Sequence, residues 1–365
     1  MSESYPFRFG GVVSTVIFRG ELPRIGEILQ REGQDFIVIC DEHTEFLARR
    51  LASPSFEPFS PLVLPSGEEN KNWEAVERIL REAARRGLGR DGLFIGIGGG
   101  IITDLSAFAA SIYMRGAGLV LIPTTLLAMV DAAIGGKTGF DLGGLKNFAG
   151  SFYPASAVFI VPETLEGLPE REWKSGMAEL IKTAVLDWDP SALDKLEELD
   201  KLEEIEGQSG PALFKSSRLK EALAGAVRIK GALVEADPKE TGTKRALLNL
   251  GHSFGHALES AAGLGKLTHG EAVAWGMARS CELGLELGFT PAERARKITG
   301  LLERGGYEIR VPHPAAPDKE RFMEALSGDK KKRGGLLRFV VPGKKGAELV
   351  EYDSRVQSYL EVTFG

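Results

Sequence analysis

The chain has 365 residues, of which 43% are hydrophobic and 26% charged, and its formal net charge is −6 at pH 7. This length exceeds what one hydrophobic core ordinarily serves, so we expect two domains. The acidic balance argues against nucleic-acid binding, which usually shows a basic footprint, whereas a small anionic substrate is compatible with a local cationic pocket.

The first half of the chain alternates short apolar runs with amphipathic segments. Buried strands are predicted over residues 36–40, 92–97 and 118–122. Apolar residues with helical spacing lie between the first two of them: Trp73, Val76, Ile79, Leu80, Ala83 and Ala84. Gly87 is well placed to end this helix. The alternation predicts a Rossmann-like α/β domain with a largely parallel sheet over residues 1–165.

Helical periodicity dominates after about Pro162. Helices are predicted over residues 172–186, 219–237, 252–262 and 271–287, with few strand signals between them. We therefore expect a mainly α-helical domain over residues 166–365. Within it, the strongly charged stretch DPSALDKLEELDKLEEIEGQSG is typical of a solvated helix and loop.

Three features bear on the compartment. Cys40 ends an apolar strand and Cys281 lies in a predicted helix, so both are expected to be buried reduced thiols, as in a cytoplasmic enzyme. The N-terminal segment MSESYPFRFGG has no apolar signal-peptide core. The most apolar stretch, residues 116–130, contains Pro123 and falls short of the roughly 20 residues that span a bilayer, so we expect a buried element.

A glycine run follows the strand predicted over residues 92–97. Gly96, Gly98, Gly99 and Gly100 precede a helix expected to begin near Thr103 and Asp104. Such a strand-to-helix turn lets backbone N–H groups approach a pyrophosphate. The spacing differs from GxGxxG, and a purely structural tight turn is the alternative.

Three of the five histidines fall within eighteen residues: His252, His256 and His269. His252 and His256 are four apart and share one helical face, whereas His269 opens another helix. Two histidines from different helices, joined by a carboxylate, would provide three ligands and leave positions open, as in catalytic zinc sites. A helical histidine can also be structural, but this concentration favours a site.

Cationic side chains stand in loops and beside glycines: Lys137, Lys146, Lys182, Lys230 and Arg245. Each alone could be a surface charge. The lysines of IGGKTG and GLKNF are embedded in apolar and glycine sequence, so we expect them to be partly buried. A buried lysine requires an anionic partner, and a phosphate or carboxylate ligand would supply one.

Six strings resemble successive signature blocks of the 3-dehydroquinate synthase family: GGGIITDLSAFAASIYMRG, IPTTLLAMVDAAIGGKTGFD, LKNFAGSFY, LPEREWKSGMAELIK, LLNLGHSFGHALE and HGEAVAWGM. They stand in the family's order, and weaker similarity extends from about residue 36 to residue 342. The resemblance implies a Rossmann-like NAD-binding domain followed by a mainly α-helical metal- and substrate-binding domain.

The resemblance also implies cofactor sites. A divalent metal, commonly zinc and possibly cobalt, would be held by Glu179, His252 and His269. The positions that match the family's NAD contacts are Asp41, Glu68, Lys71, Gly99, Gly100, Asp104, Thr124 and Thr125.

Substrate contacts follow in the same way. The matching positions are Asp131, Lys137, Lys146, Asn147, Lys182, Lys230, Arg245, Asn249 and His256. Lys331 resembles a further phosphate-pocket lysine, although the run Lys330–Lys332 leaves the register open. Arg115 resembles an arginine that reaches a neighbouring subunit's site, which implies a homodimer. Nothing in the sequence indicates a nucleic-acid or membrane partner.

The family's reaction converts 3-deoxy-D-arabino-heptulosonate 7-phosphate to 3-dehydroquinate and phosphate in the shikimate pathway of aromatic amino-acid biosynthesis, with NAD used catalytically. Lys230 and Arg245 match carboxylate-binding positions, which favours this substrate over those of sedoheptulose-phosphate and deoxy-inosose cyclases. A polyol dehydrogenase of the glycerol dehydrogenase type is a further alternative, because it shares the fold, NAD and a metal.

Three positions depart from the family's pattern. Gly167 replaces a usual threonine, and Ala132 replaces a frequent serine. The loop DPKETGTKR is one residue longer than the family's, which leaves Lys244 as an alternative to Arg245.

Overall fold

A computed structural model of the chain describes residues 3–31, 33–52, 59–189, 191–206, 210–263, 265–316, 318–332 and 338–364. At residues 200–206, 210–212 and 328–332 the description covers the backbone alone. The chain divides into two compact units, Met1–Leu168 and Pro169–Gly365.

The first unit is an α/β fold. Its strands are β1 (Glu3–Phe9), β2 (Val12–Phe18), β3 (Phe36–Asp41), β4 (Leu62–Leu64), β5 (Leu93–Gly98), β6 (Gly118–Pro123), β7 (Lys137–Leu142), β8 (Leu145–Phe152) and β9 (Ala157–Ile160). Its α-helices are α1 (Ile25–Ile28), α2 (Glu45–Arg50), α3 (Trp73–Arg85) and α4 (Gly100–Ile112).

Seven strands form one sheet in the order β1-β2-β9-β6-β5-β3-β4. The pair β1–β2 is antiparallel, and every other neighbouring pair is parallel. Strands β7 and β8 form a separate antiparallel hairpin. The three predicted strands are confirmed as β3, β5 and β6, and helices between parallel strands give the predicted Rossmann-like architecture.

The core of this unit explains why the three strands read as continuous apolar runs. Val38, Ile95, Ile97 and Ile122 are at most 1% exposed and belong to one hydrophobic cluster. Parallel strands covered on both faces have no solvent-facing side, so apolar and polar residues do not alternate along them.

The predicted apolar face of α3 is only partly correct. Val76, Ile79 and Ala83 are buried as expected, but Ala84 is exposed and Trp73 is 43% exposed. Trp73 is the first residue of the helix, and its ring lies 5.8 Å from that of Phe140 on β7 instead of entering the sheet's core. The helix ends at Arg85, just before Gly87.

The second unit is mainly helical. Its α-helices are α5 (Glu170–Leu186), α6 (Ser191–Glu206), α7 (Ser217–Ala236), α8 (His252–Ala262), α9 (His269–Glu286), α10 (Ala292–Arg304), α11 (Lys319–Lys332) and α12 (Ser354–Phe364). Its one described hairpin joins β10 (Arg338–Pro342) to β11 (Ala347–Glu351). Helix α9 packs against α5, α8 and α10, so it lies at the centre of this unit.

Both cysteines are free and buried, as predicted, and burial raises the pKa of each thiol to about 12. The apolar stretch 116–130 contributes β6 and the buried turn after it, which confirms a buried element. Among the described helices, none is both long and apolar enough to cross a bilayer.

Candidate active site

The residues proposed for NAD binding in the first unit cluster at one edge of the sheet. Asp41 ends β3, Gly99 follows β5 and Thr124 follows β6, and these three strands are adjacent and parallel. Glu68 lies in a 3-10 turn shortly after β4, the next strand in the sheet. Carboxyl ends of parallel strands share one edge, which is where open α/β sheets bind ligands.

The glycine-rich turn brings backbone and helix end together. Helix α4 begins at Gly100 with Gly99 as its N-cap, three to four residues before the predicted start near Thr103 and Asp104. The prediction was late because glycine at the first positions is a poor helix former, whereas the Thr103 N–H already donates to Gly99 O at 3.0 Å. A Cβ on Gly99 would lie 3.1 Å from Thr125 Cγ2, so glycine keeps this turn compact.

Lys71 joins two groups of predicted site residues. Its Nζ lies 2.6 Å from Asp104 Oδ2 and 2.5 Å from Asn147 Oδ1. Burial opposes the charge of Lys71, but the carboxylate of Asp104 outweighs it and raises the pKa of the ammonium. Asn147 has a left-handed φ of 51°, and its N–H donates to Asp141 Oδ1 at 2.7 Å. The side chain of Lys71 therefore ties the β7–β8 hairpin to α4.

The other predicted substrate residues of this unit lie on or before that hairpin. Asp131 is half-buried in a π-helical turn, Lys137 begins β7 and Lys146 lies in β8. Both lysines are exposed, so the expectation of partial burial was wrong. The apolar side chains beside Lys146 are themselves exposed, as Phe148 at 66% shows, whereas Lys137 is exposed although Phe140 in the same strand is buried. An apolar sequence context therefore did not imply burial of either lysine.

Three side chains that could hold a metal ion meet in the second unit. Glu179 comes from α5, His252 from the first residue of α8 and His269 from the first residue of α9. One donor atom from each of these side chains lies within 4.8 Å of the others. Glu179 is fully buried, and its Oε1 lies 3.2 Å from His269 Nε2 and 3.7 Å from His252 Nε2. One carboxylate and two imidazoles form a donor set that suits a divalent metal such as zinc.

Close helix packing positions these donors. A Cβ on Gly270 would overlap the Ser175 carbonyl on α5, and one on Gly251 would lie 2.6 Å from Val273 O on α9. A capping box fixes the start of α9, because Thr268 Oγ1 accepts from Glu271 N–H at 3.2 Å and the Thr268 N–H donates to Glu271 Oε2 at 2.7 Å. Backbone contacts thus set where His269 begins its helix.

Burial and the neighbouring positive charges have opposite effects on the pKa of Glu179. Burial by itself would raise the pKa of Glu179, but the contacting Lys182 ammonium and the His269 ring hold it well below its usual range. Burial, followed by the positive charge of Lys182, lowers the pKa of His252 well below its ordinary value. A neutral imidazole and an ionised carboxylate are the forms that bind a metal.

A residue that sequence reasoning missed lies beside His269. Glu259 Oε2 is 4.0 Å from His269 Nδ1, and His256, Glu259 and His269 form a second group with donor atoms within 4.8 Å of one another. Burial opposes the charge of His269, but the neighbouring carboxylates of Glu179 and Glu259 outweigh it and raise the pKa of the imidazole to about 9. The signal was present in GHALE, since Glu259 stands three and seven residues after His256 and His252.

Three predicted anion-binding cations of this unit are buried: Lys182 at 1%, Lys230 at 6% and Arg245 at 2% exposure. Lys182 and Lys230 lie on α5 and α7, within the helices predicted over residues 172–186 and 219–237. Arg245 points inward and its Nη1 donates to Pro238 O at 2.6 Å, whereas Lys244 is exposed, so the longer loop places Arg245 inward.

Asn249 lies in the same 3-10 turn as Arg245, and its Nδ2 donates to Glu240 Oε1 at 3.1 Å. Arg115 is exposed at the end of a 3-10 turn, with φ of 72°. Lys331 lies in α11, but its side chain is outside the described part of the chain. Gly167 has φ of 79°, a conformation that the family's usual threonine would adopt only with strain.

Comparison with known proteins agrees with this fold. Residues 61–175 match the family model "3-dehydroquinate synthase N-terminal" and residues 176–332 match "3-dehydroquinate synthase C-terminal". A 3-dehydroquinate synthase of Prochlorococcus marinus (strain NATL1A) is 38% identical over 340 residues, covering 91% of this chain and 89% of that protein.

Two solved structures share the fold. The 2-epi-5-epi-valiolone synthase of Streptomyces hygroscopicus subsp. jinggangensis 5008, with NAD⁺ and Zn²⁺ bound, superposes with a TM-score of 0.79 and 28% identity, covering 95% of this chain and 96% of that one. A 2-deoxy-scyllo-inosose synthase complexed with carbaglucose-6-phosphate, NAD⁺ and Co²⁺ gives 0.79 and 22%, covering 99% and 100%. The fold is therefore dehydroquinate synthase-like. The chain belongs to the 3-dehydroquinate synthase family.

Proposed function

We propose that this chain converts 3-deoxy-D-arabino-heptulosonate 7-phosphate to 3-dehydroquinate and phosphate, as a carbon–oxygen lyase of the shikimate pathway. The observation that carries the proposal is the buried Glu179, which gathers His252, His269 and the Lys182 ammonium around one carboxylate. A candidate metal site beside a lysine, a side chain that commonly binds phosphate, suits a reaction that oxidises a hydroxyl and expels phosphate.

Two cofactors belong to the proposal. NAD is assigned to the carboxyl edge of β3, β4, β5 and β6, and a divalent ion, zinc or cobalt, to Glu179, His252 and His269. When bound, NAD supplies a hydride acceptor that later returns the hydride, and the ion supplies positive charge beside a reacting oxygen. The solved relatives that carry NAD⁺ with Zn²⁺ or Co²⁺ support this assignment.

The chain's own residues bind and orient the substrate. Oxidation of the C5 hydroxyl acidifies the neighbouring C–H, so that phosphate leaves by elimination, and reduction, ring opening and an intramolecular aldol closure follow. Lys182 and His256 are proposed to neutralise phosphate, whose own oxygen can take the proton. Asp131, Lys137, Lys146, Asn147 and Asn249 are assigned to orienting the substrate. Much of the acceleration would come from orientation and charge stabilisation.

Buried cations favour the heptulosonate over related sugar phosphates. Lys230 and Arg245 are 6% and 2% exposed, and a guanidinium can bind a carboxylate through two parallel hydrogen bonds. Sedoheptulose 7-phosphate and the substrates of deoxy-inosose cyclases carry no carboxylate. A polyol dehydrogenase would need neither cation and would release NADH.

We further propose a cytoplasmic homodimer. The exposed Arg115, at the end of its 3-10 turn, supports this because its family counterpart reaches the neighbouring subunit. Light scattering on the purified chain would give twice the 39.4 kDa protomer mass. A monomer with full activity would refute the assignment of Arg115.

Phosphate release from the heptulosonate phosphate, with trace NAD and added Zn²⁺ or Co²⁺, tests the function. We expect phosphate to appear in equal amounts with dehydroquinate and no net NADH. Turnover of sedoheptulose 7-phosphate alone would make this a different cyclase. Accumulation of NADH with a polyol would make it a dehydrogenase.

A further inference from the structure

The His269 ring lies between two carboxylates, one at each of its nitrogens. Nε2 is 3.2 Å from Glu179 Oε1, and Nδ1 is 4.0 Å from Glu259 Oε2. Glu179 is a proposed metal ligand, whereas Glu259 has no role in the function proposed above. The following inference rests on that function, because it concerns the same metal centre.

The ring of His252 is oriented in the same way. His252 Nε2 is 3.7 Å from Glu179 Oε1, and its Nδ1 lies 3.1 Å from the carbonyl oxygen of Leu250. Both rings therefore turn Nε2 towards Glu179 and Nδ1 towards an oxygen that can accept a hydrogen bond. For His252 that acceptor is backbone, and for His269 it is the side chain of Glu259.

An imidazole that binds a metal through one nitrogen carries its proton on the other, and that N–H is normally held by a carboxylate or carbonyl. We propose that Glu259 is a positioning residue of the metal centre, whose carboxylate accepts a hydrogen bond from Nδ1–H of His269 and keeps Nε2 directed at the ion. The 4.0 Å separation exceeds a hydrogen bond. The proposal therefore requires Nδ1 and the carboxylate to approach one another when the ion binds.

Helix α8 makes this support possible. His252 and Glu259 stand seven residues apart on it, so two helical turns bring both side chains to one face. Glu259 is half-buried, which shields its interaction with His269 from solvent. A single helix thus supplies one metal ligand and the support for another ligand on α9.

The alternative role for Glu259 is to bind a second metal ion. His256, Glu259 and His269 also have donor atoms within 4.8 Å of one another. Such an ion would take His269 through Nδ1, the nitrogen that faces Glu259. Holding both ions would require a His269 ring without any proton, which a neutral imidazole does not readily provide. Glu259 as a hydrogen-bond acceptor needs only the ordinary neutral ring and a single ion.

Metal binding tests the proposal without reference to turnover. The metal-free full-length chain is titrated with Zn²⁺ and Co²⁺ against a chromophoric chelator, for wild type, Glu259→Gln and Glu259→Leu. Glu286→Gln is the matched control, because Glu286 is exposed at the far end of α9. We expect about 10- to 100-fold weaker binding for Glu259→Leu, and a smaller loss for Glu259→Gln, whose amide oxygen still accepts a hydrogen bond.

The visible spectrum of bound Co²⁺ should change in Glu259→Leu, while the thermal unfolding of each metal-free variant stays close to that of wild type. Affinities within twofold of wild type for both variants would overturn the proposal. So would two ions per wild-type chain, with one lost in Glu259→Leu. If Glu259→Leu fails to fold, the metal affinity of Glu259→Gln relative to wild type becomes the deciding measurement. Absence of metal binding in wild type would refute the metal centre itself, a distinct result.

Discussion

The backbone N–H of Gly270 donates to Ser175 Oγ at 3.1 Å, which ties the first turn of α9 to α5. Gly270→Ala would press a methyl group against the Ser175 backbone. We expect a loss of about 1–3 kcal/mol in the free energy of unfolding, together with weaker metal binding because His269 is displaced. Chemical denaturation and a metal titration measure both effects.

Gly225→Ala is the control for this prediction, since Gly225 lies in α7 with open space around its Cα. That change should be neutral or stabilise the chain by up to about 1 kcal/mol, because alanine favours a helix. Equal losses for the two variants would contradict a packing role of Gly270.

The ammonium of Lys71 contacts the side chains of both Asp104 and Asn147. Lys71→Met should therefore weaken NAD binding and destabilise the first unit. The expected loss is about 1–3 kcal/mol, because a partly buried carboxylate is left without its charged partner. Urea unfolding with and without NAD measures it, and Arg78→Met on the exposed face of α3 is the control. Adding Asp104→Asn should recover part of the loss; strict additivity would argue against coupling.

His313 should make stability sensitive to acid. Burial is the main cause that lowers the pKa of His313 below 6.5, and its Nδ1 accepts the Ala315 N–H at 3.0 Å. As pH falls below about 6.5, the unfolded chain binds a proton that the folded chain resists, so stability declines. His313→Asn keeps an acceptor and cannot titrate, so its decline should be shallower.

Equilibrium unfolding between pH 8 and pH 5 tests this slope. His43→Asn, at an exposed position, should retain the wild-type slope. If the free energy of unfolding of all three proteins depended on pH in the same way, His313 would be excluded as the source of the acid sensitivity.

Arg245 and Lys244 offer a direct test of the carboxylate assignment. Arg245→Met should raise KM for the heptulosonate phosphate at least tenfold, since a buried guanidinium is lost, whereas Lys244→Met should change it less than twofold. Steady-state kinetics on both variants give the comparison. The reverse order of effects would move the contact to Lys244.

The sequence predicted best where local pattern and burial agree. Ile95 and Ile122 lie in strands covered on both faces, so apolar runs identified them. His252 and His269 were recognisable as a pair of donors because histidine is rare in this chain.

Other features depended on tertiary context. Lys137 is exposed at the first position of β7, whereas Thr138 and Phe140 in the same strand are buried, and an apolar sequence context does not reveal this difference. The role inferred for Glu259 required knowing that His269 of α9 faces it, since an acidic residue on a helix is usually a surface charge. Likewise, the inward turn of Arg245 past Lys244 is set by the loop after α7 and not by spacing alone.

Strand β2 covers one side of β9, pairing Thr15–Phe18 in parallel with residues 157–160. Without residues 1–18, β9 would become the outermost strand, with a row of unsatisfied N–H and C=O groups. Versions of the chain that lack the β1–β2 hairpin would therefore expose β9 and tend to self-associate through it.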